Sequence, residues 1–200
     1  VENWLTSTSR KVSVYRLKKW KKSKRVSFRS SSLNRLLFHR FRPILRQMKS
    51  HYLYPGNLAA FKEETVISTL LGSCVAVALY DPDAKVGGLN HYLLPEPTPH
   101  DKISPRYGTV AIAELITELK KLGAKPANLK AKIYGGGNVI TNVLNGPTIG
   151  SLNIAVAEKI LKHLNIPIVE KNVGGTKART IKFNTTTFTV LHHISDDKAA

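Results

Sequence analysis

Residues 71–94 read LGSCVAVALYDPDAKVGGLNHYLL and predict a β-hairpin. Two apolar, β-prone runs, residues 75–80 and 86–94, flank a turn at residues 81–84. The sequence of that turn, Asp-Pro-Asp-Ala, is typical of a chain reversal. The register of this hairpin decides which side chains of the two runs face each other.

The register brings a thiol and an imidazole together. If Tyr80 pairs with Lys85, Cys74 falls opposite His91, and directly opposed side chains on one face have Cβ atoms about 4.5–5.5 Å apart. A base beside a thiol is the arrangement that nucleophilic catalysis requires, and an imidazolium there would favour the thiolate. A register shift of one residue would turn one of the two side chains to the opposite face.

Cys74 is the only cysteine in the chain, so it cannot form an intramolecular disulfide. The alternative to a nucleophile is an inert small hydrophobe, which a free cysteine in an apolar strand commonly is. Gly72 and the pair Gly87-Gly88 favour the catalytic interpretation. Glycine inside a strand pattern marks the close approach of another backbone, as a reacting amide would require.

Over about residues 51–192 the sequence resembles the CheD family, the chemoreceptor glutamine deamidases of bacterial chemotaxis. The pair of motifs that contain the cysteine and the histidine carries this resemblance most specifically. The matching segments are LGSCVAV (71–77), DP (81–82), GGLNHYLLP (87–95), RYG (106–108), AKIYGGG (131–137), IG with Asn153 (149–153) and VGG with Arg179 (173–179).

The resemblance implies an activity. CheD proteins hydrolyse the side-chain amide of selected glutamines on the cytoplasmic helices of chemoreceptors (methyl-accepting chemotaxis proteins), giving glutamate and ammonia through a thioester. Some members also act as receptor methylesterases, and several bind the phosphatase CheC. The first alternative is a non-catalytic module of the same fold that binds CheC or the receptor.

The resemblance also implies the catalytic residues. The nucleophile and the base of the family match Cys74 and His91. A threonine hydroxyl six residues before the cysteine completes the family's triad. Here that position is Ser68, which keeps a hydroxyl, and Thr69 follows it, so the third residue is Ser68 or Thr69. In an extended chain, even-numbered positions share a face with Cys74 whereas Thr69 points away, so we expect Ser68 to orient the histidine.

Further residues are candidates for binding the substrate or the oxyanion, namely Gly72, Ser73, Asn90 and Thr69. Backbone N–H groups near Ser73 are the expected oxyanion donors. Asn90 either binds the substrate amide or satisfies backbone groups. We expect no cofactor and no metal site: His192 and His193 face opposite sides of a strand, and there is no second cysteine.

Positive charge is concentrated in residues 1–47, which include the run KKWKKSKR at 18–25, and this segment accounts for most of the formal net charge of +18. We interpret residues 1–47 as a basic N-terminal extension, either disordered or non-native with Met48 as the true start. Residues 48–200 are then the CheD-like domain. A basic nucleic-acid-binding protein is a further alternative, but nothing in residues 48–200 supports it.

The predicted fold class is α+β. We expect a single domain with mixed or antiparallel sheets and two main helices packed on one side, as a layered sandwich. The first helix is predicted over 107–122 with Val110, Ala113, Ile116 and Leu119 inward, and Ser151 should cap the second. No segment is long and apolar enough to span a membrane, and an unpaired thiol fits a reducing compartment, so the cytoplasm is the expected location.

Overall fold

The computed structural model describes residues 48–139 and 146–195, which lie within one compact unit, Arg46–Ala200. Residues 1–47 lie outside the described residues, so the interpretation of the basic N-terminal segment stays a prediction. The described elements, in chain order, are β1 (Lys49–Tyr52), β2 (Asn57–Phe61), β3 (Thr65–Leu71), β4 (Val75–Asp81), β5 (Val86–His91), α1 (Gly108–Lys121), β6 (Lys130–Gly135), α2 (Ile149–His163), β7 (Ile168–Val173), β8 (Arg179–Asn184) and β9 (Val190–Ile194).

The strands form two sheets of mixed direction. One has four strands in the order β1-β3-β8-β9, and the other has five in the order β2-β5-β4-β6-β7. Strand pairs β1–β3 and β6–β7 are parallel, and the other pairs are antiparallel. The predicted α+β class with two helices and mixed sheets is confirmed.

The five-stranded sheet is the middle layer. Strand β4 is buried along its whole length because it is covered on both faces. Its odd-numbered residues pack under the two helices, and its even-numbered residues pack against the four-stranded sheet. The layer between the sheets contains Leu53, Ile67, Leu71, Ala76, Ala78, Tyr80, Leu89, Tyr134, Ile181 and Phe183.

The two helices lie where the sequence predicts them, but their buried faces differ in detail. Helix α1 buries Ala111, Ile112, Leu115 and Leu119, whereas Ala113 of the predicted stripe is exposed. The predicted cap of α2 is wrong. Thr148 is the N-cap, and its Oγ1 accepts a hydrogen bond from the backbone N–H of Ser151 at 3.1 Å.

The hairpin is present, but its predicted register is wrong by two residues. Tyr80 pairs with Gly87, and Asp81 pairs with Val86. The buried Asp81 carboxylate is the cause, because it accepts backbone hydrogen bonds from within the turn and so ends strand β4 one residue later than predicted. The turn therefore comprises residues 82–85.

The shift moves His91 two residues away from the position opposite Cys74, because Val75 pairs with Tyr92 at this end of the hairpin. Side chains alternate with a period of two along a strand, so a shift of two residues keeps every side chain on its predicted face. His91 keeps its predicted face, and Cys74, which precedes β4, packs against the core on that same side of the five-stranded sheet.

We expect the Asp81 carboxylate to be a stabilising feature of the hairpin. It accepts from the backbone N–H groups of Asp83 (2.9 Å), Ala84 (3.1 Å) and Lys125 (2.8 Å). Asp81→Asn replaces one acceptor oxygen by a donor, so the free energy of unfolding should fall by about 1–3 kcal/mol in urea titrations.

Asp83→Asn is the matched control, since the Asp83 carboxylate is exposed and, among the described residues, accepts a single side-chain hydrogen bond, from Asn128 at 3.0 Å. It should change the free energy of unfolding by less than about 0.5 kcal/mol. Equal losses in the two variants would contradict this account of the turn.

Candidate active site

Cys74 ends the short connection between β3 and β4, residues 72–74. Each carbonyl oxygen of this connection accepts a hydrogen bond from another part of the chain. The carbonyl oxygen of Gly72 accepts from Gly137 N–H, and that of Cys74 accepts from Gly136 N–H, both at 2.8 Å. The carbonyl of Ser73 accepts from the side-chain amide of Asn153 at 3.1 Å. The backbone N–H groups of Ser73 and Cys74 donate to no backbone acceptor among the described residues.

The glycines at the end of β6 and just after it have no room for side chains, because Gly135 packs on this connection and Gly136 packs on α2. A Cβ on Gly135, which has a φ of 104°, would lie 2.2 Å from the carbonyl oxygen of Cys74. A Cβ on Gly136 would lie 2.6 Å from the side chain of Ile154. The loop therefore supports the backbone of the cysteine.

Cys74 and His91 both lie in the layer between the two sheets. Cys74 is half-buried and packs at the margin of the inter-sheet core, and His91 is 1% exposed. His91 Nε2 is buried and has no hydrogen-bond partner in the described part of the chain, the Cys74 thiol included. Catalytic hydrogen bonds are often long in the absence of substrate and tighten on binding.

The imidazole of His91 is held by the facing sheet. Its Nδ1 lies 2.7 Å from Thr69 Oγ1, and the same hydroxyl donates to the carbonyl oxygen of Leu53 at 2.7 Å. Since a carbonyl can only accept, the single hydroxyl proton of Thr69 is committed to Leu53, and the hydroxyl must accept from Nδ1–H. His91 is therefore the Nδ1–H tautomer, and its Nε2 carries a lone pair that can accept a proton.

Burial keeps both groups neutral. Loss of solvation lowers the pKa of His91 from 6.5 to about 4, a shift that the Leu53 carbonyl only partly offsets. Burial raises the pKa of the Cys74 thiol, with a smaller opposing effect from its own backbone N–H. The resting pair is thus a thiol and a neutral imidazole, so the expectation that an imidazolium stabilises a thiolate is wrong for the free protein.

Thr69, and not Ser68, contacts the histidine. Thr69 is 1% exposed and faces the inter-sheet layer, whereas Ser68 lies on the opposite face of β3 and is half-buried. The parity argument from the sequence failed because the chain leaves the extended conformation at residues 72–74, so that alternation does not carry through from β3 to Cys74. The expectation that Ser68 orients His91 is therefore wrong.

Asn90 also lies away from the site. Its side chain is fully buried, and its Oδ1 accepts from the backbone N–H of Val77 at 2.8 Å. Asn90 and His91 are consecutive strand residues and so point to opposite faces of the sheet. The Oδ1 contact fits the alternative in which Asn90 satisfies a backbone group, while its Nδ2 is buried without a hydrogen-bond partner among the described residues. Binding of the substrate amide by Asn90 stays a prediction.

Sequence reasoning missed two contacts of the site, the carbonyl of Leu53 behind Thr69 and the side chain of Asn153 behind Ser73. The first involves a backbone group, which no residue pattern reveals. Asn153 was noted only as part of a family motif, and a polar residue on the apolar face of a predicted helix is the signal that could have found it.

The family model and the similar proteins both point to the same family, CheD. The CheD profile, described as CheD chemotactic sensory transduction, matches residues 93–193. The chain is 41% identical over 133 residues to a protein of Anaeromyxobacter dehalogenans named probable chemoreceptor glutamine deamidase CheD 1, covering 66% of this chain and 77% of that protein. It is 36% identical over 146 residues to the probable chemoreceptor glutamine deamidase CheD of Sulfurimonas denitrificans, covering 72% and 94%.

Among solved structures, the chain is similar to the hypothetical protein YfiH of Bacillus licheniformis, with a TM-score of 0.37 and 18% identity. The match covers 56% of this chain and 50% of that one. Separately, no helix in the described residues has the length and apolar character needed to cross a membrane.

The lowered pKa of His91 predicts a pH dependence of stability. Between pH 6.5 and about 4 the unfolded chain binds a proton on this residue that the folded protein does not. The contribution of neutral His91 to the free energy of unfolding is therefore complete above pH 6.5. As the pH falls towards 4, the free energy of unfolding should decrease by up to about 3 kcal/mol. Urea titrations across this pH range measure the loss.

His91→Gln should remove this part of the pH dependence, whatever its effect on stability at pH 7. His193→Gln, a change at an exposed histidine, should retain it. If the two variants showed the same slope of stability against pH between 6.5 and 4, the buried neutral state of His91 would be refuted.

Proposed function

The chain belongs to the CheD family, and on that premise we propose that residues 48–200 are a cysteine-dependent protein-glutamine glutaminase. Its proposed substrates are glutamine side chains on the cytoplasmic helices of chemoreceptors, which implies that the chain acts in the cytoplasm. One observation carries the proposal: His91 holds its proton on Nδ1 and presents an unpartnered Nε2 in the layer that contains the only cysteine.

The first half of the reaction forms a thioester. The Cys74 thiol passes its proton to His91 Nε2 as the sulfur attacks the carboxamide carbon, because a neutral pair makes proton transfer part of the attack. The backbone N–H groups of Ser73 and Cys74 stabilise the oxyanion, and one such donor is typically worth about 2.7–4 kcal/mol. The C–N bond then breaks, and Nε2–H protonates the departing nitrogen to give ammonia.

The second half hydrolyses the thioester. His91 Nε2 accepts a proton from water as the water oxygen attacks the acyl carbon, and the sulfur leaves and recovers that proton. The products are a glutamate side chain and the regenerated thiol. A methyl ester can enter the same acyl-enzyme pathway, so we extend the proposal to receptor methylesterase activity.

Thr69 is the proposed third member of the triad, in place of Ser68. Its hydroxyl fixes both the tautomer and the ring orientation of His91, and it connects the imidazole to the Leu53 carbonyl. Cys74, His91 and Thr69 thus come from three segments that meet at one end of the inter-sheet layer.

A non-catalytic role as a module that binds CheC or the receptor is the alternative, and the absence of a thiol–imidazole hydrogen bond among the described residues favours it. Incubation with a purified receptor cytoplasmic fragment separates the two functions. The wild-type protein should release ammonia and convert receptor glutamines to glutamates, detected by mass spectrometry of receptor peptides. A wild-type protein that binds the fragment without releasing ammonia would support the alternative.

Cys74→Ala should abolish ammonia release and leave receptor binding intact, since the substitution removes the nucleophile and little of the surface. Ammonia release by this variant at the wild-type rate would show that Cys74 is not the nucleophile.

Thr69→Val should lower kcat by about 10- to 100-fold, because the isosteric side chain fills the same space without holding the imidazole. Steady-state ammonia release measures the effect. Ser68→Ala is the matched control on the other face of the same strand and should keep near wild-type activity. A larger loss in Ser68→Ala than in Thr69→Val would reverse the assignment.

A further inference from the structure

Asn153 occupies an unusual place on α2, since it is a polar residue that is 0% exposed. Its Nδ2 donates to the carbonyl oxygen of Ser73 at 3.1 Å and to that of Leu93 at 2.8 Å. Ser73 immediately precedes the cysteine, and Leu93 follows the histidine by two residues. One amide group therefore spans the segment that carries the thiol and the segment that carries the base.

The orientation of this carboxamide follows from its partners. Exchanging its oxygen and nitrogen would set Oδ1 against two carbonyl oxygens, which cannot donate. In the observed orientation Oδ1 is buried without a partner among the described residues. A buried acceptor left unsatisfied is unfavourable. Both Nδ2 hydrogens of Asn153 therefore bond the two backbone segments even though this leaves Oδ1 unpaired.

The bridge lies where strand pairing between β4 and β5 stops. The continuous β4–β5 ladder ends at Ala78 and Leu89. Beyond it, Val75 and Tyr92 form an isolated pair and exchange backbone hydrogen bonds at 3.1 and 3.0 Å. Beyond that pair, Leu93 N–H donates to the carbonyl of Arg106 instead of to the cysteine strand. Where backbone pairing between the two segments ends, the side chain of Asn153 therefore links them through the carbonyls of Ser73 and Leu93.

We propose that Asn153 is a positioning residue that sets the distance between the Cys74 thiol and the His91 imidazole by holding the backbone on both sides. This inference rests on the proposed function, since it assumes that the two side chains act together. In the described part of the chain, the Asn153 side chain donates to backbone carbonyls and forms no hydrogen bond with Cys74 or His91. A misplacement of about 1 Å can reduce a rate by roughly 100-fold, so loss of the bridge should lower kcat and leave KM nearly unchanged.

Asn153→Ala and the shape-matched Asn153→Leu both remove the two donors, and the second keeps the buried volume filled if the first fails to fold. Tyr92→Phe is the control: it deletes the hydrogen bond from the Tyr92 hydroxyl to the backbone carbonyl of Asn153, at 2.7 Å, and leaves the amide bridge in place. Thermal unfolding of each variant measures its loss of stability, so that the Asn153 variants can be compared with Tyr92→Phe.

The decisive readout is the rate of alkylation of Cys74 by iodoacetamide as a function of pH, which is unambiguous because the chain has one cysteine. The wild-type protein should react at neutral pH with help from His91, whereas His91→Gln should react only as the bare thiol ionises. We expect both Asn153 variants to follow the His91→Gln profile and to lose at least about tenfold in kcat, and Tyr92→Phe to follow the wild type.

The outcomes separate the two claims. Asn153 variants with the wild-type alkylation profile and kcat would overturn the positioning role alone. A Tyr92→Phe profile as altered as theirs would reduce Asn153 to a structural residue. If the wild-type protein and His91→Gln gave the same profile, His91 would not assist the thiol, and the proposed function would fail together with this inference.

Discussion

The hydrogen bond between His91 and Thr69 is the interaction on which the site depends. It crosses from the five-stranded sheet to the four-stranded sheet, so it forms only when the two sheets pack in the observed register. Because the Thr69 proton is committed to the Leu53 carbonyl, this contact also decides which imidazole nitrogen is free. Packing of the two sheets therefore determines the tautomer of His91.

The second constraint is burial. Removing a charge from water is costly, so a buried histidine without a carboxylate partner stays neutral. The result is a weak base that remains unprotonated well below neutral pH, in the same inter-sheet layer as a thiol whose pKa is raised by burial. Such a pair suits a reaction in which the proton moves during the attack, and it differs from a preformed thiolate–imidazolium ion pair.

Local patterns in the sequence predicted much of this arrangement. Alternating apolar runs and the Asp-Pro turn predicted the hairpin, and the motifs around Cys74 and His91 singled out the two proposed reacting groups. The register was wrong because the carboxylate of Asp81 caps its own turn, a contact that strand periodicity does not encode. Strand alternation favours Ser68 over Thr69 only if the chain is extended across residues 72–74, and it is not. The role of Asn153 was out of reach, since it depends on contacts between segments distant in sequence.

The most direct test of the account is nitrogen-15 NMR of His91 in the protein labelled at its histidine side chains, with assignment by comparison with His91→Gln. We expect the signals of a neutral imidazole protonated on Nδ1 at pH 7, and a titration midpoint near 4. A ring protonated on Nε2, or a midpoint at or above 6.5, would contradict the arrangement of Thr69, Leu53 and His91 from which the proposed chemistry follows.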